Sequence, residues 1–160
     1  MGKWTDSDKM AAREILDIPP VWLLGALVLV WIQATFLPFW TQGFGVSRML
    51  GIVLIVLGFA LMLWAAVVFR AHQTSIVPHQ MPARIITKGP FSFSRNPIYL
   101  GDVLILTGAV FWWGAWPSLL LIPIFVMILV RRFIAPEEVR MKENFGPEFD
   151  DFSKRTRRWL

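Results

Sequence analysis

Residues 91–102 read FSFSRNPIYLGD, which gathers a guanidinium (Arg95), an amide (Asn96) and a phenol (Tyr99) around Pro97 at the mouth of an apolar run. A second polar set, Arg131 and Arg132 with Glu137 and Glu138, follows the next long apolar stretch. Such groups at the edge of greasy segments suit a polar cofactor meeting a lipophilic substrate. The acids would take a diol or a cation, an arginine a carboxylate, and apolar side chains a flat ring. Each group also has a plainer reading. Glu137 and Glu138 can simply complement a helix N-terminus, and Arg131 and Arg132 can snorkel to headgroups. His72 and His79 have no cysteine in the chain and no carboxylate between Arg70 and Asp102, so they read as solvated loop histidines rather than metal ligands. Asp102 is a carboxylate entering an apolar run, an expensive placement. Lying only three residues past Tyr99, it is expected to be wetted.

Composition says what must position these groups. Over 160 residues the chain is 56% hydrophobic and 17% charged, too apolar for an ordinary soluble domain. Four apolar runs, 21–40, 49–69, 99–116 and 117–133, approach the ~20 residues that cross a ~30 Å hydrocarbon core. The last two leave little room for tilt. The first is too long for a signal-peptide core and has no A-x-A-like site after it, so it is expected to remain as a span. The absence of cysteine excludes disulfides, thiolate catalysis and cysteine-ligated metals. The net charge of +5 does not point to nucleic acid, because fifteen of the sixteen Lys and Arg fall at the N-terminus, between Arg70 and Arg95, or from Arg131 onward. Only Arg48 stands apart. This positive-inside distribution places both termini and the central loop in the cytoplasm.

The expected fold is therefore an all-α, multi-pass integral membrane protein. It has about four transmembrane helices, a structured cytoplasmic loop over 70–98, cytoplasmic helices over 134–160, and no Rossmann domain. The whole of 1–160 reads as one domain. Pro136 followed by two acids suits the start of a new helix, and Gly146-Pro147 ends it and permits another. Phe145, Phe149 and Phe152 would form a stripe facing the membrane or the loop. Thr5-x-x-Asp8 resembles a capping box. Gly43-x-Gly45 is no dinucleotide fingerprint, since Arg48 stands where the third glycine belongs.

In combination and order, Gly89-Pro90-Phe91, Arg95-Asn96-Pro97-x-Tyr99-x-Gly101, Glu137-Glu138 and Phe145-Gly146-x-x-Phe149 resemble the isoprenylcysteine carboxyl methyltransferase family and its bacterial integral-membrane relatives. The resemblance covers residues 83–160; the first two spans match only in hydropathy. That family usually carries histidine after the arginine. Asn96 stands there instead, able to donate and accept hydrogen bonds but not to titrate. The resemblance implies S-adenosylmethionine, giving S-adenosylhomocysteine, bound by the loop and the C-terminal helix, and methyl transfer to a lipophilic acceptor arriving from the bilayer. Carried over by position, the cofactor residues would be Arg84, Ile85, Ile86, Phe91, Asn96, Pro97, Ile98, Tyr99, Glu137 and Glu138. A carboxylate acceptor needs a cation, yet Phe133 occupies the position of the family's substrate-side arginine. Arg131 is the expected substitute, with Arg132 second, and Tyr99 completes the catalytic end. The implied partners are a lipophilic or lipidated substrate and membrane lipids. Two alternatives stay open: a phospholipid N-methyltransferase, whose amine acceptor must lose a proton, and a membrane-embedded NADPH-dependent reductase of the sterol type.

Overall fold

The computed structural model describes residues 18–37, 45–72 and 85–160. The Thr5–Asp8 box, the Gly43 turn, His79 and Arg84 lie outside the described residues. Helices α1 (Pro19–Phe36), α2 (Gly45–Ala71), α3 (Pro97–Trp113), α4 (Leu121–Leu129), α5 (Ala135–Phe145) and α6 (Pro147–Arg155) follow in order, with 3-10 turns at Gly89–Ser92 and Trp116–Leu120. No strand occurs among the described residues. This is an all-α integral membrane protein, as its composition requires. Helices α1 and α2 and the helical run Trp116–Phe145 are each long and apolar enough to cross a bilayer. Helix α3, with 17 residues, is shorter.

Its short length goes with a central place. Helix α3 packs on α2, α1 and α4, and its Leu106 and Val110 are wholly buried against Val30 of α1 and Phe125 and Leu129 of α4. Helix α2 instead turns Val53, Val56, Leu57, Phe59 and Leu63 outward, as lipid-facing residues should be. What α2 offers α3 is glycine. A Cβ on Gly51 would lie 2.6 Å from the Gly108 carbonyl oxygen, and one on Gly58 2.7 Å from that of Gly101. Both pairs recur two turns apart in opposite senses, so the helices are antiparallel and touch backbone to backbone. Without a hydrophobic drive between helices in lipid, this closeness supplies the dispersion contact that holds them.

The ends of α3 follow from two residues. Pro97 sits in its first turn, where a fixed φ suits the helix and a missing N–H is not needed. Gly114 closes it with φ 61, a left-handed conformation that favours glycine. The chain then turns through Trp116–Leu120, where Ser118 Oγ donates to Gln33 Oε1 of α1 at 2.9 Å.

The fourth apolar stretch runs on where its sequence suggests a stop. Instead of ending near residue 133 and restarting at Pro136, helix continues from Trp116 to Phe145. It does so through a π turn at Val130–Ile134. Proline lacks an N–H and its ring crowds the carbonyl four residues back, so a widened turn just before Pro136 lets the rod pass without breaking. Helix α5 is thereby a stiff extension of the span. Beyond Gly146 (φ 48), α6 folds back and buries Phe149 and Phe152 against Ala65 of α2 and the loop residues Ile85, Ile86 and Phe91. The phenylalanine stripe is thus loop-facing. Phe69 meets Phe91 edge-on, with ring centroids 5.0 Å apart.

Candidate functional site

The start of α3 and the π turn bring the two polar sets together. Tyr99, in the first turn of α3, stacks on Phe133 with ring centroids 6.3 Å apart and planes inclined by 28°. Phe133 and Glu137 are four residues apart on one helix face, so the same tyrosine reaches both: its Oη donates to Glu137 Oε2 at 3.3 Å. Arg140, a turn further on, and Asp102, a turn further into α3, both bring their charges to bear on this hydroxyl.

Glu138 faces another way. Arg158 donates to it twice, Nε to Oε1 at 3.1 Å and a terminal nitrogen to Oε2 at 2.5 Å, and Arg95 approaches Oε1 at 3.3 Å. The bidentate fork is the strongest geometry open to such a pair, and its hydrogen bond holds the Arg158 guanidinium above its ordinary range. Backbone bonds reinforce it. Arg95 N–H donates to the Arg157 carbonyl at 3.0 Å, while Asn96 Nδ2 (3.0 Å) and Ser94 Oγ (3.4 Å) donate to that of Arg158. The extended tail after α6 has carbonyls that need donors, and the non-helical 94–96 segment supplies them. The C-terminal tail is therefore strapped across the loop.

The candidates read from sequence separate accordingly. Tyr99 and Glu137 come together. Asn96 and Glu138 join the strap, and Pro97 opens α3. Ile85, Ile86 and Phe91 are buried in the loop core, with Ile98 packed against it. Arg131 is exposed, two residues from buried Phe133 and so near the opposite side of its helix. Arg132 lies over the Trp22 ring, 5.3 Å from its centroid. The arginine that acts on the Tyr99 hydroxyl is Arg140, which its position three residues after Glu137 could have signalled. Nothing in the sequence announces the roles of Ser94 and the Arg158 carbonyl.

Asp102 is not wetted. It is 1% exposed, and neither carboxylate oxygen has a hydrogen-bond partner among the described residues. Helical spacing puts it on the side of α3 shared with buried Leu106 and Ala109, so nearness to the helix end does not expose it. Trp22 Nε1 and Arg95 Nε are buried without partners among the described residues as well. Trp22 in the first turn of α1, Arg95 just before α3 and Asp102 early in α3 all belong to one end of the bundle.

Residues 46–148 match the family model for phospholipid methyltransferases. The matched region begins in α2, well before residue 83, and includes Tyr99, Asp102, Glu137 and Glu138. It stops short of Arg157 and Arg158. An uncharacterized protein of Haemophilus influenzae is 33% identical over 63 residues, which is 39% of this chain and the whole of that protein. No solved structure matches the chain. With a family match over the larger part of its length and a bundle of membrane-spanning helices to carry it, this chain belongs to the phospholipid methyltransferase family of integral-membrane methyltransferases.

Proposed function

We propose that the protein transfers a methyl group from S-adenosylmethionine to a lipid-borne acceptor at the Tyr99–Glu137 edge of the bundle. The observation that carries this reading is the 3.3 Å hydrogen bond joining the start of α3 to the start of α5, where polar loop and tail meet apolar helices. Family membership supports methyl transfer over the reductase alternative. When bound, the donor supplies an electrophilic methyl carbon on a sulfonium. This chain's own residues fit such a molecule. Glu137 and the Tyr99 hydroxyl suit a ribose diol or a cationic centre, and the unpartnered Arg95 Nε suits the methionine carboxylate. Ile85, Ile86 and Phe91 contribute indirectly, as the core that stiffens the loop bearing Arg95 and Asn96. Displacement at the methyl carbon depends on alignment and exclusion of water more than on acid–base help, so rigid positioning is the protein's main task.

A second reading keeps a carboxylate acceptor, as in the isoprenylcysteine carboxyl methyltransferases. The exposed position of Arg131 at the end of the fourth span favours it, because that guanidinium is open to a lipid anion. In either case the site faces the cytoplasm in this proposal, following the basic residues. The test is thermal denaturation of purified protein with S-adenosylhomocysteine or NADPH, then transfer of labelled methyl from S-adenosylmethionine to a total lipid extract. Stabilisation by S-adenosylhomocysteine and label in the lipid phase are expected. Stabilisation by NADPH alone would sink the proposal.

A further inference from the structure

Arg131 and Arg132, both exposed, stand where the apolar part of the fourth span gives way to polar α5. No acid precedes Glu137 on this span, and the residues one turn to either side of Arg131 are Met127 and Ala135. Toward the membrane, the span carries an outward stripe. Leu120, Ile124 and Met127 are exposed, and with Arg131 they fall at steps of four, three and four residues, which is one side of a helix. At 1.5 Å per residue the stripe is about 16 Å long, close to half of a ~30 Å hydrocarbon core. One acyl chain fits that track, with a guanidinium at its headgroup end. Depth calls for an anion there. Trp112, Trp113 and Trp116 mark the opposite interface. From Trp116 to Arg131 the helix rises roughly 24 Å, allowing for its opening 3-10 turn, which is less than the core is thick. Arg131 thus leaves the helix near the level where chains join headgroups, and its long side chain reaches outward to charge. Arg132 is steadied beside it. Its guanidinium lies 5.3 Å from the Trp22 ring centroid, and Trp22 packs against the core that holds Val30 and Phe133. Two guanidinium groups side by side offer forked donors from two directions, which fits the several oxygens of a phosphate. A zwitterionic headgroup would bring its own cation against them.

We propose that Arg131, Arg132 and Trp22 form a binding site for one anionic phospholipid of the leaflet that the loop and tail face. Its phosphate lies on the two guanidinium groups, and one acyl chain runs along Met127, Ile124 and Leu120. This lipid is a resident partner and not the methyl acceptor. The inference therefore stands or falls independently of methyl transfer.

The test adds phosphatidylglycerol, phosphatidylcholine or palmitate to the full chain in detergent, counts retained lipids by native mass spectrometry, and follows thermal melting. The parent is expected to retain one phosphatidylglycerol, to melt higher with it, and to bind phosphatidylcholine at least tenfold more weakly. Arg131→Gln is expected to lose about tenfold or more in phosphatidylglycerol affinity, the scale of a lost hydrogen bond to a charged group. Trp22→Leu, which takes away the platform under Arg132, should lose about two- to fivefold. Arg157→Gln removes the same charge from an exposed place on the tail and should bind as the parent does. Four results would each overturn the site. Phosphatidylglycerol and phosphatidylcholine could bind the parent equally, or Arg131→Gln and Arg157→Gln could lose equal affinity, leaving only a general attraction of charge. Palmitate could bind in preference to phosphatidylglycerol, or millimolar inorganic phosphate could displace it, making the pair a carboxylate site or a water-facing anion site. An Arg131→Gln variant that melts below the parent in the absence of added lipid would make Arg131 a structural residue and overturn the assignment as well.

Discussion

Adjacent glutamates do different work here because one helical step turns a side chain through about 100°. Glu137 points to Tyr99 on the exposed side of the helix. Glu138 is held between Arg95 and Arg158. Glu137→Gln is therefore expected to weaken S-adenosylhomocysteine binding about tenfold or more, as loss of a charge-assisted hydrogen bond worth about 1.5–3 kcal/mol would do. Its melting temperature should stay near the parent's. Glu138→Gln leaves two guanidinium groups facing each other without their shared acid, so its main effect should be a lower melting temperature. Calorimetric titration and thermal melts of both variants decide the matter, and parent-like affinity in Glu137→Gln would remove that residue from the site.

Between elements, glycine and the tail carry the argument. At Gly51 and Gly108 an added Cβ meets backbone on the partner helix, which cannot swing aside, whereas at Gly25 nothing lies within 4 Å. Gly51→Ala and Gly108→Ala should each destabilise the protein by about 1–3 kcal/mol, as overpacking does, and Gly25→Ala should be silent. Denaturation in detergent micelles measures both, and a silent Gly108→Ala would contradict the close approach of α2 and α3. The strap makes a separate claim. Removing residues 156–160 takes away both carbonyls that Arg95, Asn96 and Ser94 use, so hydrogen exchange over residues 85–96 should quicken and S-adenosylhomocysteine should bind less tightly. Asn96→Ala should do the same to a smaller degree. Unchanged exchange in the truncated chain would mean that packing of Phe149 and Phe152 alone holds the loop.

For the molecule as a whole, the loop, α5, α6 and the tail lie at one end of the bundle, so their shared site depends on a single side of the membrane. Fifteen of the sixteen basic residues fall at the N-terminus, between Arg70 and Arg95, or from Arg131 onward, and only Arg48 stands apart. Reporter fusions at Gly45 and Gly114 are expected to read as external and a fusion after Leu160 as cytoplasmic. A cytoplasmic signal at Gly114 would place that turn on the same side as the tail and break the antiparallel order on which the Tyr99–Glu137 contact rests.

Hydropathy alone determined that this chain spans a membrane, since in lipid every backbone group must be satisfied within a helix or closed barrel and the apolar runs have helical length. Local chemistry determined the start of α3 at Pro97 and the break at Gly146, because fixed φ and left-handed φ are properties of single residues. The motif order around Arg95–Tyr99 and Glu137–Glu138 placed the chain among integral-membrane methyltransferases. Other features needed the tertiary structure. That the fourth span continues through Pro136, that Arg131 faces outward while Arg140 acts on Tyr99, and that Glu138 is occupied by Arg158 all depend on helix phase, which one π turn resets. Asp102 is the sharpest case. Its distance along the sequence from the end of α3 suggested water, but burial is set by which side of the helix a residue takes and what packs there, and α3 is surrounded by α1, α2 and α4.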